Sequence, residues 1–312
     1  MKFIIFILSC ILLLQPFAYA DNSAGTKAFN FLKVPIGARA SALSNAYYAL
    51  SNDHLASFYN PAGLAQVQTK DISFTFMNYL VGYNGGALSV TFPINNSSTF
   101  AIFTKFTGAG GIDKTDIDLD TGELIDLDET FGTYDVLLGV SYGKILSEIL
   151  DFGINLKMIS ETIDEYSSQA AAADIALIHQ TPNPKLKFGL AAKNLGMQIT
   201  KFDKKKEDLP IQFHAGFSYN ISRGYFNLDL VKPLDQDVYA NIGLEKEMYK
   251  NFIMRLGYKS NATDWQVGSN IDFLAGISTG FGFNWKNYKF DYALNSFGEL
   301  GFIHQLTVAR NF

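Results

Sequence analysis

The stretch "YDVLLGVSYGKILSEILDFGINLKM", residues 134–158, contains two runs in which apolar side chains alternate with small or polar ones. In the second run, Phe152 and Ile154 alternate with Gly153 and Asn155. A repeat of two residues is the period of a β-strand, whose successive side chains point to opposite faces. The stretch therefore predicts two strands joined by a short turn, each with one apolar face.

The same alternation continues from Lys70 to the end of the chain. It predicts fourteen strands of roughly nine to twelve residues, the length that crosses a bilayer when the strand is tilted. The predicted strands are 70–79, 85–93, 98–107, 131–142, 149–162, 170–181, 185–194, 209–219, 223–232, 236–247, 251–260, 273–285, 288–296 and 301–312. A repeated strand pattern of this kind indicates an all-β fold.

The second face of these strands carries Gly, Ser, Asn, Lys and Asp, which do not form the core of a soluble sandwich. A transmembrane barrel has the opposite arrangement, with apolar side chains towards lipid and small or polar ones towards the lumen. After the first twenty residues no stretch approaches 18 consecutive apolar residues, so a membrane helix is not predicted there. We therefore expect a 14-stranded antiparallel transmembrane β-barrel over residues 70–312.

The connections between the predicted strands alternate in length. The even-numbered ones are short, such as "PINNSS", "TPNP" and "KN", whereas three odd-numbered ones are long: Gly108 to Thr130, Leu195 to Asp208, and Asn261 to Asp272. Outer-membrane barrels have short periplasmic turns and longer external loops. The odd-numbered connections are therefore predicted to be external.

The last strand, "GFIHQLTVARNF" (301–312), stays apolar on one face up to the terminal Phe312. His304 and Arg310 are polar exceptions on that face. Because an open sheet would leave unpaired backbone groups in hydrocarbon, the last strand must pair with the first. Phe312 is expected at the periplasmic interface, and it resembles the signal that barrel-assembly machinery reads.

The first twenty residues have the pattern of a signal peptide. A lysine near the start is followed by an apolar run and by Ala18-Tyr19-Ala20, which predicts cleavage after Ala20. The only cysteine, Cys10, lies within this segment, so the mature chain would lack a thiol. We expect export to the outer membrane of a Gram-negative-type bacterium, with the membrane lipids and the assembly machinery as partners.

Residues 21–69 do not alternate and are rich in alanine and other small residues. Residues 41–50 are expected to form about three helical turns, and Pro61 and Gly63 indicate a tight turn. Because side chains alone do not fill a barrel much larger than eight strands, this segment is expected to plug the lumen. A periplasmic docking arm is the alternative. The predicted division is therefore 1–20 signal peptide, 21–69 hatch and 70–312 barrel.

Three short motifs support this division. "GARA" (37–40), "SND" (51–53) and "YNPAGLA" (59–65) stand in the same order as in the N-terminal segment of FadL-like outer-membrane proteins, and they resemble most the PorV/PorQ-type branch. Lys193 to Tyr219 resembles an outer loop and strand of that group. In the family helix, glycines commonly stand where this chain has "SNA" (44–46). The residues that carry the hatch motif are Gly37, Arg39, Asn60, Pro61 and Gly63.

The resemblance implies a non-enzymatic barrel with a hatch in its lumen. Its first implied function is the passage of small hydrophobic compounds across the outer membrane. The alternative is a PorV-like accessory protein that binds secreted cargo or secretion-system components at its outer loops. A purely structural barrel is a third reading, and the residues alone do not choose among the three.

The strand register predicts a set of polar side chains that face the lumen. They are Asp135, Asp151, Lys157, Lys187, Lys193, His214, Asp229, Glu245, Arg255, Lys289 and Asp291. Both charge signs occur, so ion pairs that hold the hatch are expected rather than a ring that selects ions. Arg39 on the hatch is expected to pair with one of the carboxylates.

The acidic stretch in the longest predicted loop begins like a calcium-binding loop, with Asp116, Asp118 and Asp120 at alternate positions. The match then fails, since Thr121 stands where Gly is required and Leu127 where the bidentate Glu is required. A solvated external hairpin that turns at Thr121-Gly122 is favoured, and no metal site is predicted.

The sequence carries no recognisable catalytic constellation. The four histidines are scattered without metal-ligand spacing, and the nucleophile-elbow, phosphate-loop and zinc-protease motifs are absent. A satisfied lumen residue is the favoured reading of His214 over half of a hidden Ser/His pair. The net charge of −5 argues against nucleic acid as a partner. We therefore predict a protein without enzymatic activity or cofactors.

Overall fold

The computed structural model describes residues 27–118 and 120–312. The predicted signal peptide and the start of the predicted hatch, residues 1–26, lie outside this range. Across the described residues, fourteen antiparallel strands close into one barrel in which each strand pairs with its neighbours in sequence. The strands are β1 (Asp71–Asn78), β2 (Asn84–Asn95), β3 (Ser98–Ile117), β4 (Leu124–Ser147), β5 (Leu150–Ile163), β6 (Tyr166–Gln180), β7 (Leu186–Thr200), β8 (Gln212–Ile221), β9 (Gly224–Pro233), β10 (Tyr239–Tyr249), β11 (Phe252–Lys259), β12 (Ile277–Trp285), β13 (Tyr288–Ser296) and β14 (Phe302–Asn311). The predicted fold class is confirmed.

The barrel closes between its first and last strands. β1 pairs with β14 over its whole length, from the Asp71–Asn311 pair to the Asn78–His304 pair. The backbone N–H of Phe312 donates a hydrogen bond to the carbonyl of Lys70 at 2.9 Å. No edge strand is left in the sheet, as a barrel in hydrocarbon requires.

The outer surface of the barrel is apolar and the inner surface is mixed. On β4 and β5, Leu138 and Leu156 expose 59% and 56% of their surface, whereas Asp135 and Asp151 are buried. Soluble proteins rarely expose a continuous apolar surface of this kind. The alternation in the sequence is therefore an alternation between a lipid-facing and a lumen-facing surface.

The two polar side chains on the outer face of β14 are covered by aromatic rings. The guanidinium carbon of Arg310 lies 4.6 Å from the ring centroid of Phe312 and 5.4 Å from that of Tyr288. His304 Nδ1 is hydrogen-bonded to the hydroxyl of Tyr292 at 2.8 Å. Such contacts lower the cost of placing polar groups on this face.

The longest predicted loop, residues 108–130, is mostly strand, which corrects the boundaries expected there. β3 and β4 continue beyond their neighbours as a two-stranded ribbon because Thr and Ile favour extended backbone and the hairpin pairs its own hydrogen bonds in water. The ribbon turns between Asp118 and Glu123, where the N–H of Asp118 donates to the carbonyl of Glu123 at 2.9 Å. Gly122 supplies the positive φ of 74° that this turn needs.

The N-terminal segment, residues 27–69, is less helical than expected. The predicted three turns over residues 41–50 are replaced by one short α-helix, α1 (Ala38–Ser41), followed by turns. Ser44 and Asn45 adopt φ values of 50° and 66°, which a right-handed helix cannot contain. In the FadL-like proteins that the sequence resembles, glycine commonly stands at these positions.

Short 3₁₀ turns complete the N-terminal segment, at Asn30–Lys33, His54–Phe58 and Pro61–Gln66. Further 3₁₀ turns lie between later strands, at Ser260–Trp265, Asp272–Leu274 and Gly298–Leu300. No helix in the described part of the chain is long and apolar enough to cross a membrane.

Cysteine labelling tests the predicted orientation of the barrel. A cysteine at Gly122 or Lys205 is expected to react with a membrane-impermeant maleimide on intact cells, because both lie on odd-numbered connections. A cysteine at Asn96 or Asn183, on even-numbered turns, is expected to react only after lysis. Equal reactivity of the two pairs, or the inverse pattern, would contradict the orientation.

Candidate functional site: a plugged lumen and its cavity

The inner wall of the barrel carries glycines where the N-terminal segment touches it. They are Gly143, Gly153, Gly189, Gly216, Gly243, Gly257 and Gly280. A Cβ built on Gly153 would lie 2.1 Å from Ala62 N, and one on Gly189 would lie 2.2 Å from the carbonyl oxygen of Tyr48. No side chain fits at such distances, so the backbone of the segment packs directly on the backbone of the wall.

The "YNPAGLA" motif attaches the segment to the strands and to itself. The Asn60 amide donates hydrogen bonds to the carbonyls of Tyr48 at 2.7 Å and of Leu177, on β6, at 3.2 Å. Its oxygen accepts a hydrogen bond from Ala62 N at the start of the turn Pro61–Gln66. Gly63 packs so closely on Ser51 that a Cβ would lie 1.7 Å from the carbonyl oxygen of Ser51.

Five charged residues, all buried except the partly buried Arg39, form a continuous chain between the N-terminal segment and the wall, and we call it the ion chain: Asp53, Arg39, Glu245, Arg255 and Asp291. Arg39 donates to Glu245 in a bidentate pair at 2.8 and 2.7 Å and to Asp53 at 2.7 Å. Arg255 continues the chain to Glu245 at 2.7 Å and to Asp291 at 2.6 Å. Two residues of the N-terminal segment are thereby tied to three residues of the wall, at β10, β11 and β13.

Electrostatic interactions keep Asp53 and Arg39, the two members of the ion chain on the N-terminal segment, in their charged forms. Burial by itself would raise the pKa of Asp53, but His54, Arg39 and Lys289 hold it far below its usual range. Burial by itself would lower the pKa of Arg39, but Glu245, together with the other acidic neighbours, holds it well above its usual value. Because a lowered carboxyl pKa preserves a pair until the pH falls to that pKa, the Arg39–Asp53 pair survives mild acid.

The predicted lumen-facing residues all lie on the inner side of the strands. Asp151 and Lys187 both contact Gln66, at 3.0 and 2.7 Å. Asp229 accepts hydrogen bonds from Tyr47 N and Tyr48 N at 2.6 and 2.9 Å. Hydrogen bonds to inner-face side chains of β5, β7 and β9 therefore hold both ends of residues 47–66.

The remaining members of that set lie around the same lumen. Asp135 accepts a hydrogen bond from the hydroxyl of Thr107 at 2.8 Å. His214 stacks on Tyr48 with ring centroids 3.7 Å apart. Lys289 lies two residues from Asp291, on the inner face of β13. No catalytic partner accompanies His214 in the described structure, since neither of its ring nitrogens has a hydrogen-bond partner.

The acidic residues of the ribbon lie away from the lumen. Asp118 stabilises the turn of the ribbon, because its side chain accepts hydrogen bonds from Asp120 N at 2.8 Å and Thr121 N at 3.3 Å. Asp116 is exposed and bonds to the neighbouring backbone. No cluster of three metal-ligating side chains occurs among the described residues.

A cavity of about 80 Å³ lies in the lumen between the N-terminal segment and the strands. Its lining includes Phe58, Phe103, Leu137, Lys105, Lys193 and Tyr239. Tyr239 is the first residue of β10 and lies at the end of the barrel where the odd-numbered connections lie. We call this end of the barrel the loop end. The cavity therefore occupies the part of the lumen nearer that end, with residues 32–36 against it.

A second feature, the wall groove, is an apolar depression of about 870 Å³ on the outer face of β2–β7. Its lining includes Leu88, Ile102, Leu138, Leu156, Met158 and Met197. Phe103 and Lys157 line both the wall groove and the lumen cavity. At this place the two features lie on opposite faces of one continuous sheet, in which β3, β4 and β5 are hydrogen-bonded to each other.

The ring of Phe103 lies flat on the inner face of the wall because Gly139 on the neighbouring strand leaves room for it. A Cβ on Gly139 would lie 2.4 Å from the ring of Phe103, and Phe58 packs edge-on against the other side at a centroid distance of 5.2 Å. Neither Phe103 nor Lys105 was predicted from the sequence. Lys105 could have been found, because it is the only charged residue in the predicted strand 98–107 and stands at a lumen-facing position. An inward Phe in an apolar strand gives no such signal.

Asp174 was also missed, although it pairs with Lys157 at 2.5 Å and accepts a hydrogen bond from Asn194 N at 2.8 Å. It lies where the register of β6 against β7 shifts, between Ala173 and Ile175. The extra residue of this bulge lies on β7, so Asp174 keeps the two-residue period of β6, and its parity with Ala172 and Ala176 was a signal that could have found it.

The sequence matches no protein-family profile and no curated protein. Among solved structures, the fold resembles the CymD monoaromatic hydrocarbon channel, with a TM-score of 0.62 and 11% identity over 89% of this chain and 98% of that one. It also resembles the P. putida toluene transporter TodX, with a TM-score of 0.58 and 8% identity over 83% of this chain and 94% of that one.

A Pseudomonas aeruginosa FadL homologue is similar too, with a TM-score of 0.56 and 9% identity over 89% of this chain and 99% of that one. Identities this low show a shared fold, that of the FadL-type barrels, and nothing finer. These comparisons give no support to the PorV/PorQ branch or to the secretion alternative.

Proposed function

We propose that this protein is an outer-membrane channel through which small hydrophobic molecules pass by diffusion. The observation that carries the proposal is the shared lining of the lumen cavity and the wall groove, at Phe103 and Lys157. A molecule that reaches the cavity is separated from the lipid-facing side by the sheet of β3–β5 and, on its inner face, by these two side chains, so the proposed route requires the strands to part locally. The names of the structural neighbours, a hydrocarbon channel and a toluene transporter, support the same class of solute.

A sideways route suits an apolar solute better than a route along the barrel axis. The end of the lumen opposite the loop end is filled by Pro61–Gln66, whose backbone packs on Gly143 and Gly153. Passage past the ion chain would also require the solute to displace buried, paired charges. Transfer from the cavity into the wall groove brings the solute onto a surface of apolar side chains.

Within this proposal, the N-terminal segment acts as a hatch and the barrel resides in the outer membrane after the signal peptide is removed at Ala20. The apolar outer surface and the closed hydrogen-bond ladder support a membrane location. The barrel itself performs no chemistry, and hydrophobic small molecules are its proposed ligands.

Replacing Phe103 by Ala is the experiment that tests the route. The change removes the ring from the wall at Gly139 and is expected to raise toluene flux into proteoliposomes by roughly tenfold, equivalent to about 1.4 kcal/mol in the barrier. Entry of glucose is expected to stay unchanged because the hatch still fills the lumen.

Phe106→Ala is the matched control, since Phe106 lies on the lipid-facing side of the same strand and is exposed. Its toluene flux is expected to equal that of the unmodified protein. If Phe103→Ala leaves toluene flux unchanged while the barrel remains folded by circular dichroism, the sideways route is wrong.

A further inference from the structure

The lumen cavity holds more buried positive charge than its carboxylates neutralise. Five lysines line it: Lys33, Lys105, Lys157, Lys193 and Lys259. Lys157 pairs with Asp174, and Lys33 pairs with Asp235. Among the described residues, the other three have no carboxylate oxygen within ion-pair distance.

Two of these three ammonium groups are held by neutral groups of the N-terminal segment. Lys105 Nζ donates to the carbonyl of Phe31 at 2.6 Å and to the carbonyl of Val34. Lys193 Nζ donates to the carbonyl of Phe58 at 2.6 Å and lies over the ring of Tyr48. Carbonyl oxygens and rings stabilise a cation, but they leave its charge uncompensated.

The third ammonium group, that of Lys259, lies 4.6 Å from the ring centroid of Tyr239 and 5.0 Å from that of Trp265. His214 lines the same cavity, exposes only 7% of its surface, and has no hydrogen-bond partner at either ring nitrogen. A buried polar ring with both nitrogens unpaired is rare in a folded protein. It faces a space in which positive charge is in excess.

We propose that this cavity binds an oxyanion through Lys105, Lys193 and His214, with Lys259 adding to the positive field. An ammonium group has three donors, and Lys105 and Lys193 have each used two. Their third donors, together with a ring nitrogen of His214, are the groups available to oxygen atoms of a phosphate or a carboxylate. Charge-assisted hydrogen bonds of this kind are short and strong in a dry site.

The oxyanion either comes free, as inorganic phosphate, or belongs to a small organic acid such as benzoate. Both present negatively charged oxygen atoms to the lysines. They differ in the ring of the organic acid, which the aromatic side chains of the cavity would contact. The inference does not rest on the proposed channel function, because a neutral hydrocarbon uses none of these charges.

Calorimetric titration of the purified full-length barrel in a non-ionic detergent, at constant ionic strength, tests the site. The probes are inorganic phosphate, benzoate and the uncharged benzyl alcohol. Lys193→Gln is expected to weaken the binding of the charged probes by roughly tenfold or more, since it removes one charge-assisted contact. Lys187→Gln is the matched control, since Lys187 lies on the inner face of the same strand and contacts Gln66 instead.

Saturable binding of phosphate, lost in Lys193→Gln and kept in Lys187→Gln, supports a site for free oxyanions. Binding of benzoate alone, with the same dependence on Lys193, supports a site for organic acids. The proposal is overturned if neither anion binds, if benzyl alcohol binds as tightly as benzoate, or if the two variants weaken binding equally. His214→Gln provides a second test should Lys193→Gln fail to fold, with the same weakening expected.

Discussion

Replacing Arg39 by Ala is expected to weaken the attachment of the N-terminal segment to the barrel by about 3–5 kcal/mol, the usual cost of breaking a buried ion pair by removing one partner. Arg39 exposes only 13% of its side chain and joins Asp53 to Glu245. Its removal leaves Asp53 buried without its ion-pair partner and Glu245 with Arg255 alone. We expect the segment to leave the lumen for a larger fraction of the time.

Two measurements report this change. Channel recordings in planar bilayers should show a higher mean ion conductance, and limited proteolysis should cut between residues 37 and 64 faster than in the unmodified barrel. Arg223→Ala is the control, because Arg223 and Glu247 form an exposed pair, which is worth less than about 1 kcal/mol. If both variants behave like the unmodified protein, the ion chain does not hold the segment in place.

Gly153→Val is expected to expel the turn Pro61–Gln66 from the wall. The new side chain would begin 2.1 Å from Ala62 N, a distance that backbone atoms cannot accept. Valine favours the extended backbone of β5, so the strand itself should tolerate the change. The strain therefore falls on the hatch, and overpacking of this kind costs about 1–3 kcal/mol or more.

The same recordings and proteolysis measure the result, and conductance is expected to approach that of a barrel from which residues 37–64 have been deleted. Gly110→Ala is the matched control on β3, since a Cβ there would meet only the hydroxyl of Tyr134, at 3.9 Å. A folded Gly153→Val barrel with unchanged conductance and unchanged protease resistance would show that the close packing does not keep the lumen closed.

Much of the barrel was predictable because each strand has one face towards lipid and the other towards the lumen. Leu138 and Leu156 must face lipid, and Asp135 and Asp151 must face away from it, so local alternation is enough to place each strand. The strand bounds in 108–130 were misjudged, since a hairpin in water needs no apolar face and gives a weaker pattern, but its turn lies at Thr121-Gly122 as expected. The helix over 41–50 was misjudged because composition does not report the left-handed backbone at Ser44 and Asn45.

The candidate site was predictable only as a list of lumen-facing residues. Arg39 was expected to pair with a lumen carboxylate, but its partner on the wall, Glu245, is 206 positions away in sequence. Nothing local in either strand selects Glu245 over Asp229 or Asp291. The pairing depends on where the N-terminal segment crosses the lumen, which is a property of the assembled barrel.

The sequence by itself determined the strand number, the closure of β1 on β14 and the two-faced wall, because the bilayer imposes the same period of two on every strand. Only the tertiary structure decided which glycines contact the N-terminal segment and which lysines meet in the cavity. The two-residue period alone allows glycine, lysine or aspartate at any lumen-facing position, so their places and partners are decided by contacts between distant parts of the chain. The inward placement of the Phe103 ring has the same origin, since the ring lies where Gly139 is brought opposite it.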